Sequence, residues 1–138
     1  MFRSLIAVLS ATLVGLTVSK FTEGAGQLLL KTPPQFGGDT VVAADGYGVV
    51  LVVAWATGAF AAACCALFIG QRWAPLGGLA AATVFFSAVI ALMSFSLHWL
   101  LWPLSALATA GGGFAAIKLL RATTAYPEKN QKRAIFDN

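Results

Sequence analysis

The sequence predicts an all-α protein: a membrane four-helix bundle with both termini in the cytoplasm and an external loop between the first two helices. The chain of 138 residues is 59% hydrophobic and only 10% charged, whereas a soluble domain carries roughly a quarter charged residues. Long uncharged stretches alternate with a few ionised residues, and the basic residues favour one side of the predicted bilayer. At this length we expect one integral membrane domain, residues 1–138.

The first helix is predicted over about residues 4–30. An α-helix rises about 1.5 Å per residue and the hydrocarbon core is about 30 Å thick, so one crossing takes about 20 apolar residues. Arg3 before an apolar run also resembles the start of a secretory signal. No small-x-small cleavage site follows Val18, and we therefore expect this segment to be retained as a helix.

The second helix is predicted over about residues 47–70, after an external loop. Lys31–Thr40 contains two prolines and two glycines, which is typical of irregular structure. Between Asp45 and Arg72 lie 26 residues without a charge. That length is enough for one crossing of the bilayer.

The third and fourth helices share one long apolar stretch. Between Arg72 and Lys118 lie 45 residues without Asp, Glu, Lys or Arg. One helix of that length would be about 67 Å long, more than twice the core thickness, so the chain must turn back. The turn is predicted at Ser96–Pro103, where a histidine, two tryptophans and a proline suit a headgroup interface. The elements on either side are a third helix at about 76–96, a fourth at about 102–121, and a basic cytoplasmic tail at 122–138.

The distribution of basic residues predicts the orientation. Cytoplasmic loops of membrane proteins carry an excess of lysine and arginine. Seven of the nine basic residues fall on one side of the four predicted crossings: Arg3, Arg72, Lys118, Arg121, Lys129, Lys132 and Arg133. Both termini are therefore predicted in the cytoplasm, and we expect a multi-pass protein of the bacterial cytoplasmic (inner) membrane.

Polar residues near the external boundary form the candidate site. Glu23 lies 19 residues beyond Ser4, roughly 28 Å along the helix axis and close to the far edge of the core. Lys20 precedes Glu23 at spacing i, i+3 and Gln27 follows one turn later, so the three share a face. His98 is predicted on the same side of the membrane. We expect the ion pair to mark where the membrane ends; the alternatives are a proton-sensitive site, a cation site or the lip of a partner-binding groove.

Small residues recur every four positions on two of the predicted helices. The second helix carries Ala54, Gly58, Ala62 and Ala66, and the fourth carries Ala108, Gly112 and Ala116. Such stripes let helix backbones approach closely in lipid, where the hydrophobic effect does not drive helices together. They predict packing among the four helices or packing against another subunit, and we expect both.

Several segments carry a resemblance to a known group of proteins. They are Thr22–Leu30 (TEGAGQLLL), the Pro33-Pro34 pair in the external loop, Val53–Phe60 (VAWATGAF) and His98-Trp99. With these segments the chain resembles, over most of Ser4–Leu120, a group of small bacterial four-helix integral membrane proteins to which no activity is assigned. The resemblance implies a four-helix fold and singles out Glu23. Gln27 stands where those proteins often carry a histidine, which argues against a metal site there.

The leading hypothesis is a non-enzymatic structural or accessory subunit that acts through helix packing. The sequence offers no nucleophile with a base, no paired carboxylates and no metal-ligand set, so we expect no catalytic, cofactor or metal site. The expected partners are the lipid bilayer and other membrane protein subunits, or a second copy of the chain. Nucleic acid is not expected as a partner, because the basic residues are not gathered on a folded face.

Two other functions stay open. The chain is similar to the small multidrug exporters in having four helices with a glutamate in the first. A small dimeric proton-coupled transporter of cationic or hydrophobic compounds would use Glu23 to bind a proton or substrate and Trp55 to stack on the substrate. A regulator that senses external pH would use His98 and Glu23.

Overall fold

The computed structural model describes residues 2–30, 47–94 and 99–124, which form a bundle of four α-helices. They are α1 (Phe2–Leu30), α2 (Tyr47–Ile69), α3 (Ala74–Ser94) and α4 (Leu101–Leu119). The predicted all-α fold with four helices is confirmed, and each helix begins and ends within two residues of its predicted bounds. The external loop, His98 and the tail beyond residue 124 lie outside the described residues.

The centre of the bundle is the pair α2 and α3. Each of these helices contacts all three others, whereas α1 and α4 do not contact each other within the described ranges. Late in α1, Glu23 meets Tyr47 at the start of α2, and Gly15 faces Gly58 halfway along both helices. α1 and α2 are therefore antiparallel, and α1 and α4 lie on opposite sides of the α2–α3 pair.

The bundle has two ends, named here after one residue each. The Glu23 end holds the last turns of α1 and the first turns of α2 and α4. The Arg72 end holds the α2–α3 turn and the segment after α4, which an isolated parallel bridge between Trp73 and Thr123 ties together. Ala7, near the start of α1, packs in one cluster with residues of the first turns of α3, so α1 begins at the Arg72 end.

Small side chains fill most of the interior. The cluster nearer the Arg72 end combines alanines of α1, α2 and α3 with Leu76 and Val84. The cluster nearer the Glu23 end surrounds the buried Trp55 with three leucines and one alanine: Leu51, Leu92, Leu101 and Ala88. Alanine and glycine dominate because close backbone contact, rather than apolar burial, holds helices together where the surroundings are lipid.

Large apolar side chains cover the outside of all four helices. Leu13 on α1, Phe68 on α2, Phe86 on α3 and Phe114 on α4 are each exposed over more than three-fifths of their surface. A water-soluble monomer rarely exposes an apolar surface of this extent. Three helices are also long and apolar enough to cross a bilayer: Ser4–Leu29 of α1, all of α2 and all of α3. These features are those of a membrane protein.

The fourth helix differs from the other three. α4 is not among the helices that are apolar enough to cross a membrane by composition. Pro103, three consecutive glycines at 111–113 and Lys118 lower the apolar content of its 19 residues. The sequence predicts that α4 crosses the membrane from the length of the uncharged stretch, and this crossing stays a prediction.

Candidate functional site

Gly58 and Ala62, predicted as packing residues, lie where α1 crosses α2. A Cβ atom added to Gly58 would lie 2.8 Å from the carbonyl oxygen of Gly15 and 2.8 Å from Cβ of Ser19. A Cβ atom added to Gly15 would lie 2.7 Å from Cβ of Ala62. The two helix backbones are thus in contact, and no larger residue fits at either glycine unless a helix moves.

Gly112 provides a similar contact between α4 and α2. A Cβ atom there would collide with the carbonyl oxygen of Ala56 and lie 3.2 Å from the backbone nitrogen of Phe60. Ala116, one turn further along α4, is fully buried. These are contacts within one chain, so both predicted stripes contribute to the bundle itself. Packing of either stripe against another subunit stays a prediction.

Three of the four predicted polar residues lie together on α1, and Glu23, the middle one, contacts α2. Lys20, Glu23 and Gln27 of α1 and Tyr47 of α2 form what we name the Glu23 junction. Lys20 Nζ lies 2.9 Å from Glu23 Oε2, and the Tyr47 hydroxyl donates a hydrogen bond of 2.8 Å to Glu23 Oε1. Gln27 lies one turn beyond Glu23 on the same face of α1. The fourth predicted residue, His98, lies outside the described residues.

The Glu23 carboxylate is the more buried partner of the ion pair. Its side chain is 16% exposed, whereas the side chain of Lys20 is 79% exposed. A carboxylate with little access to water must find hydrogen-bond donors in the protein. Each of its two oxygens accepts such a bond, one from the ammonium on its own helix and one from the phenol on α2. The junction therefore neutralises the partly buried charge and joins α1 to α2.

Two neighbouring contacts hold α1 and α2 together at the same level. Gly26 leaves room for the side chain of Val50, which would collide with a Cβ atom at position 26. The hydroxyls of Thr22 and Thr57 lie 3.3 Å apart, and each also bonds to a carbonyl oxygen one turn earlier in its own helix. These local bonds satisfy the hydroxyls within an apolar segment.

Tyr47 is the site residue that spacing along α1 could not indicate. Its signal in the sequence is its position: a phenol at the first residue of α2, two residues after Asp45 and so at the predicted external boundary of the membrane. An amphipathic aromatic residue is typical of that boundary. Which residue of α1 it meets depends on the rotation of both helices, which the loop does not fix.

The chemistry of the Glu23 junction is that of a charge pair with a hydrogen-bonded phenol. In the described parts of the chain, no three His, Cys, Asp or Glu side chains gather into a metal-binding group. No family model, no curated protein and no solved structure matches this chain. The resemblance to the small bacterial four-helix proteins stays a prediction, and function is inferred from the geometry of this chain.

Proposed function

We propose that the protein crosses the bacterial cytoplasmic membrane four times, with both termini inside the cell. The 19 residues of α4 extend about 28 Å, close to the thickness of the hydrocarbon core. Leu107 and Phe114 point outward from α4 and are exposed, while its inner face packs on α2 and α3. The start of α1 and the end of α4 lie at the same end of the bundle, as an even number of crossings requires.

We further propose that the protein works as a structural or accessory subunit through helix packing, without catalytic activity. One observation carries this proposal: between its two ends the bundle has an apolar outer surface, and the Glu23 carboxylate is used within the chain. Among the described residues, Glu23 is the one acidic side chain, and both of its oxygens are engaged within the chain. An open groove of about 400 Å³ between α3 and α4 is also apolar, apart from Thr109, whose hydroxyl donates to the Ser105 carbonyl oxygen. Such a surface suits lipid and apolar helices rather than a polar substrate.

Purification tests the accessory role directly. The full chain, tagged and expressed in a bacterial membrane, is extracted in mild detergent, and the mass of the intact complex is measured. A second membrane protein at fixed stoichiometry, retained through washing with salt and competing detergent, is the expected result. A chain that purifies alone, or only with copies of itself, would contradict an accessory role.

Matched variants identify the side on which a partner binds. Leu13 on α1 and Leu107 on α4 are similarly exposed, at 69% and 71%, and they lie on opposite sides of the α2–α3 pair. Leu13→Ala and Leu107→Ala remove similar outer surfaces and leave the interior unchanged. We expect one variant to lose the partner while the other, its control, retains it. Retention by both variants would place the partner against α2 or α3 instead.

Transport has less support from the geometry. A cationic substrate would have to displace Lys20 or Tyr47 from Glu23. Trp55, the proposed stacking residue, is only 4% exposed and lies inside the core. Proton-coupled uptake into liposomes that Glu23→Gln abolishes and Lys20→Gln retains would replace the accessory proposal with a transport function. Sensing of external pH through His98 stays a prediction.

A further inference from the structure

Positive charge is concentrated at the Arg72 end of the bundle. Arg72, Lys118 and Arg121 are all exposed there. No aspartate or glutamate accompanies them in the described ranges, where Glu23 at the opposite end is the one acidic residue. The three cations therefore face outward without a neutralising carboxylate among the described neighbours, which favours an anionic ligand.

Backbone hydrogen bonds connect the two chain segments that carry these cations. The amide of Thr123 donates to the carbonyl oxygen of Arg72 at 2.9 Å, and the amide of Ala74 donates to the carbonyl oxygen of Thr123 at 2.9 Å. Arg121 lies two residues before this bridge, and its amide donates to the Lys118 carbonyl oxygen at 3.2 Å. The basic group is thus built on the bundle, not only on the tail that follows it.

Both arginines occupy backbone positions that favour glycine. Their φ angles are 60° at Arg72 and 48° at Arg121, in the left-handed region that is unfavourable for residues with a Cβ atom. Arg121 follows the last turn of α4, and the bonds from its amide to Lys118 and from the Ala122 amide to Ile117 form a Schellman motif. Glycine is the usual residue at this position. Strained backbone positions are concentrated at functional sites, so an arginine in place of the usual glycine points to a function for its guanidinium group.

We propose that Arg72, Lys118 and Arg121 bind the phosphate of an anionic phospholipid headgroup. α2 and α3 are apolar enough to cross the bilayer, so the short turn between them lies at its surface, next to the headgroups. Guanidinium groups bind phosphate oxygens through two parallel hydrogen bonds, and the long Lys118 side chain can extend from the end of α4 to the same level. The location at a membrane surface is why we assign a lipid rather than a soluble phosphate.

Lipid binding to the purified full chain tests this site. Native mass spectrometry in mild detergent measures the binding of phosphatidylglycerol relative to phosphatidylcholine. One basic residue near an anionic surface contributes about a fivefold preference. We therefore expect Arg121→Gly and Arg72→Gly each to lower the ratio about fivefold, and Arg121→Lys to retain most of it. Arg121→Gly should not lower the unfolding temperature in phosphatidylcholine, because glycine suits the left-handed backbone.

Controls separate this site from the tail and from soluble anions. Gln71→Gly relieves a similar left-handed conformation, φ 55°, without a change of charge, and should leave the lipid ratio unaltered. Neutral substitutions at Lys129, Lys132 and Arg133 remove the charge of the tail. The proposal is wrong if only the tail variants lower the ratio, or if the arginine variants leave it unchanged. Displacement of phosphatidylglycerol by glycerol phosphate would equally overturn the assignment to a lipid.

Discussion

Replacement of Gly112 by alanine should destabilise the bundle, whereas the same replacement at Gly111 should not. The two glycines are neighbours on α4. A Cβ atom at Gly111 has nothing within 4 Å, but one at Gly112 collides with the carbonyl oxygen of Ala56 and lies 3.2 Å from the backbone nitrogen of Phe60. Both obstacles are backbone atoms, so no side chain can rotate away and α4 must shift outward from α2.

The magnitude follows from two opposing effects. Overpacking of a well-packed interior costs about 1–3 kcal/mol, and the shift of α4 weakens dispersion contacts along the helix pair. Alanine also favours a helix over glycine by up to about 1 kcal/mol, and this gain applies at both positions. The difference in unfolding free energy between the Gly112 and Gly111 variants therefore isolates the collision, and we expect it to be about 1–3 kcal/mol.

Unfolding in detergent micelles measures this difference. Both variants and the unmodified chain are titrated with a denaturing detergent, and loss of helix is followed by circular dichroism under identical conditions. We expect Gly111→Ala to match or exceed the unmodified chain and Gly112→Ala to unfold first. Equal stability of the two variants would refute the close contact between α4 and α2 and, with it, the way in which α4 joins the bundle.

Three further predictions concern the Glu23 junction, the α2–α3 turn and the topology. Tyr47→Phe removes the donor to the Glu23 carboxylate and should cost about 1–3 kcal/mol of unfolding free energy; Lys20→Met, which removes an exposed partner, should cost less than about 1 kcal/mol. A larger loss for the lysine variant in the same titration would contradict this ranking. Gln71 follows α2 in a left-handed backbone conformation, so Gln71→Gly should raise the free energy of unfolding by about 1 kcal/mol. A lower free energy of unfolding would show that the glutamine side chain stabilises the fold by more than its backbone strain costs. Reporter fusions at the two termini should both report the cytoplasm, and termini on opposite faces would eliminate the four-crossing proposal.

Helix positions were accessible from the sequence because the bilayer imposes a length. Charged residues such as Arg72 and Lys118 are costly in lipid, so they mark the ends of the uncharged stretches. The positions of the helices are inferred from those stretches. The ion pair between Lys20 and Glu23 could also be predicted, since residues three apart lie on one helix face. Tyr47, by contrast, meets Glu23 across two helices, and no spacing within either helix contains that information.

By itself, the sequence determined the number and limits of the helices and their apolar character. Only the tertiary structure decided that Gly15 faces Gly58, that Gly112 meets Ala56, and that two arginines occupy left-handed positions beside the Trp73–Thr123 bridge. The physical reason is that a helix apolar on every side has no polar face to fix its rotation. Its orientation about its own axis is set by which small residues allow two backbones to touch, and that depends on both helices at once.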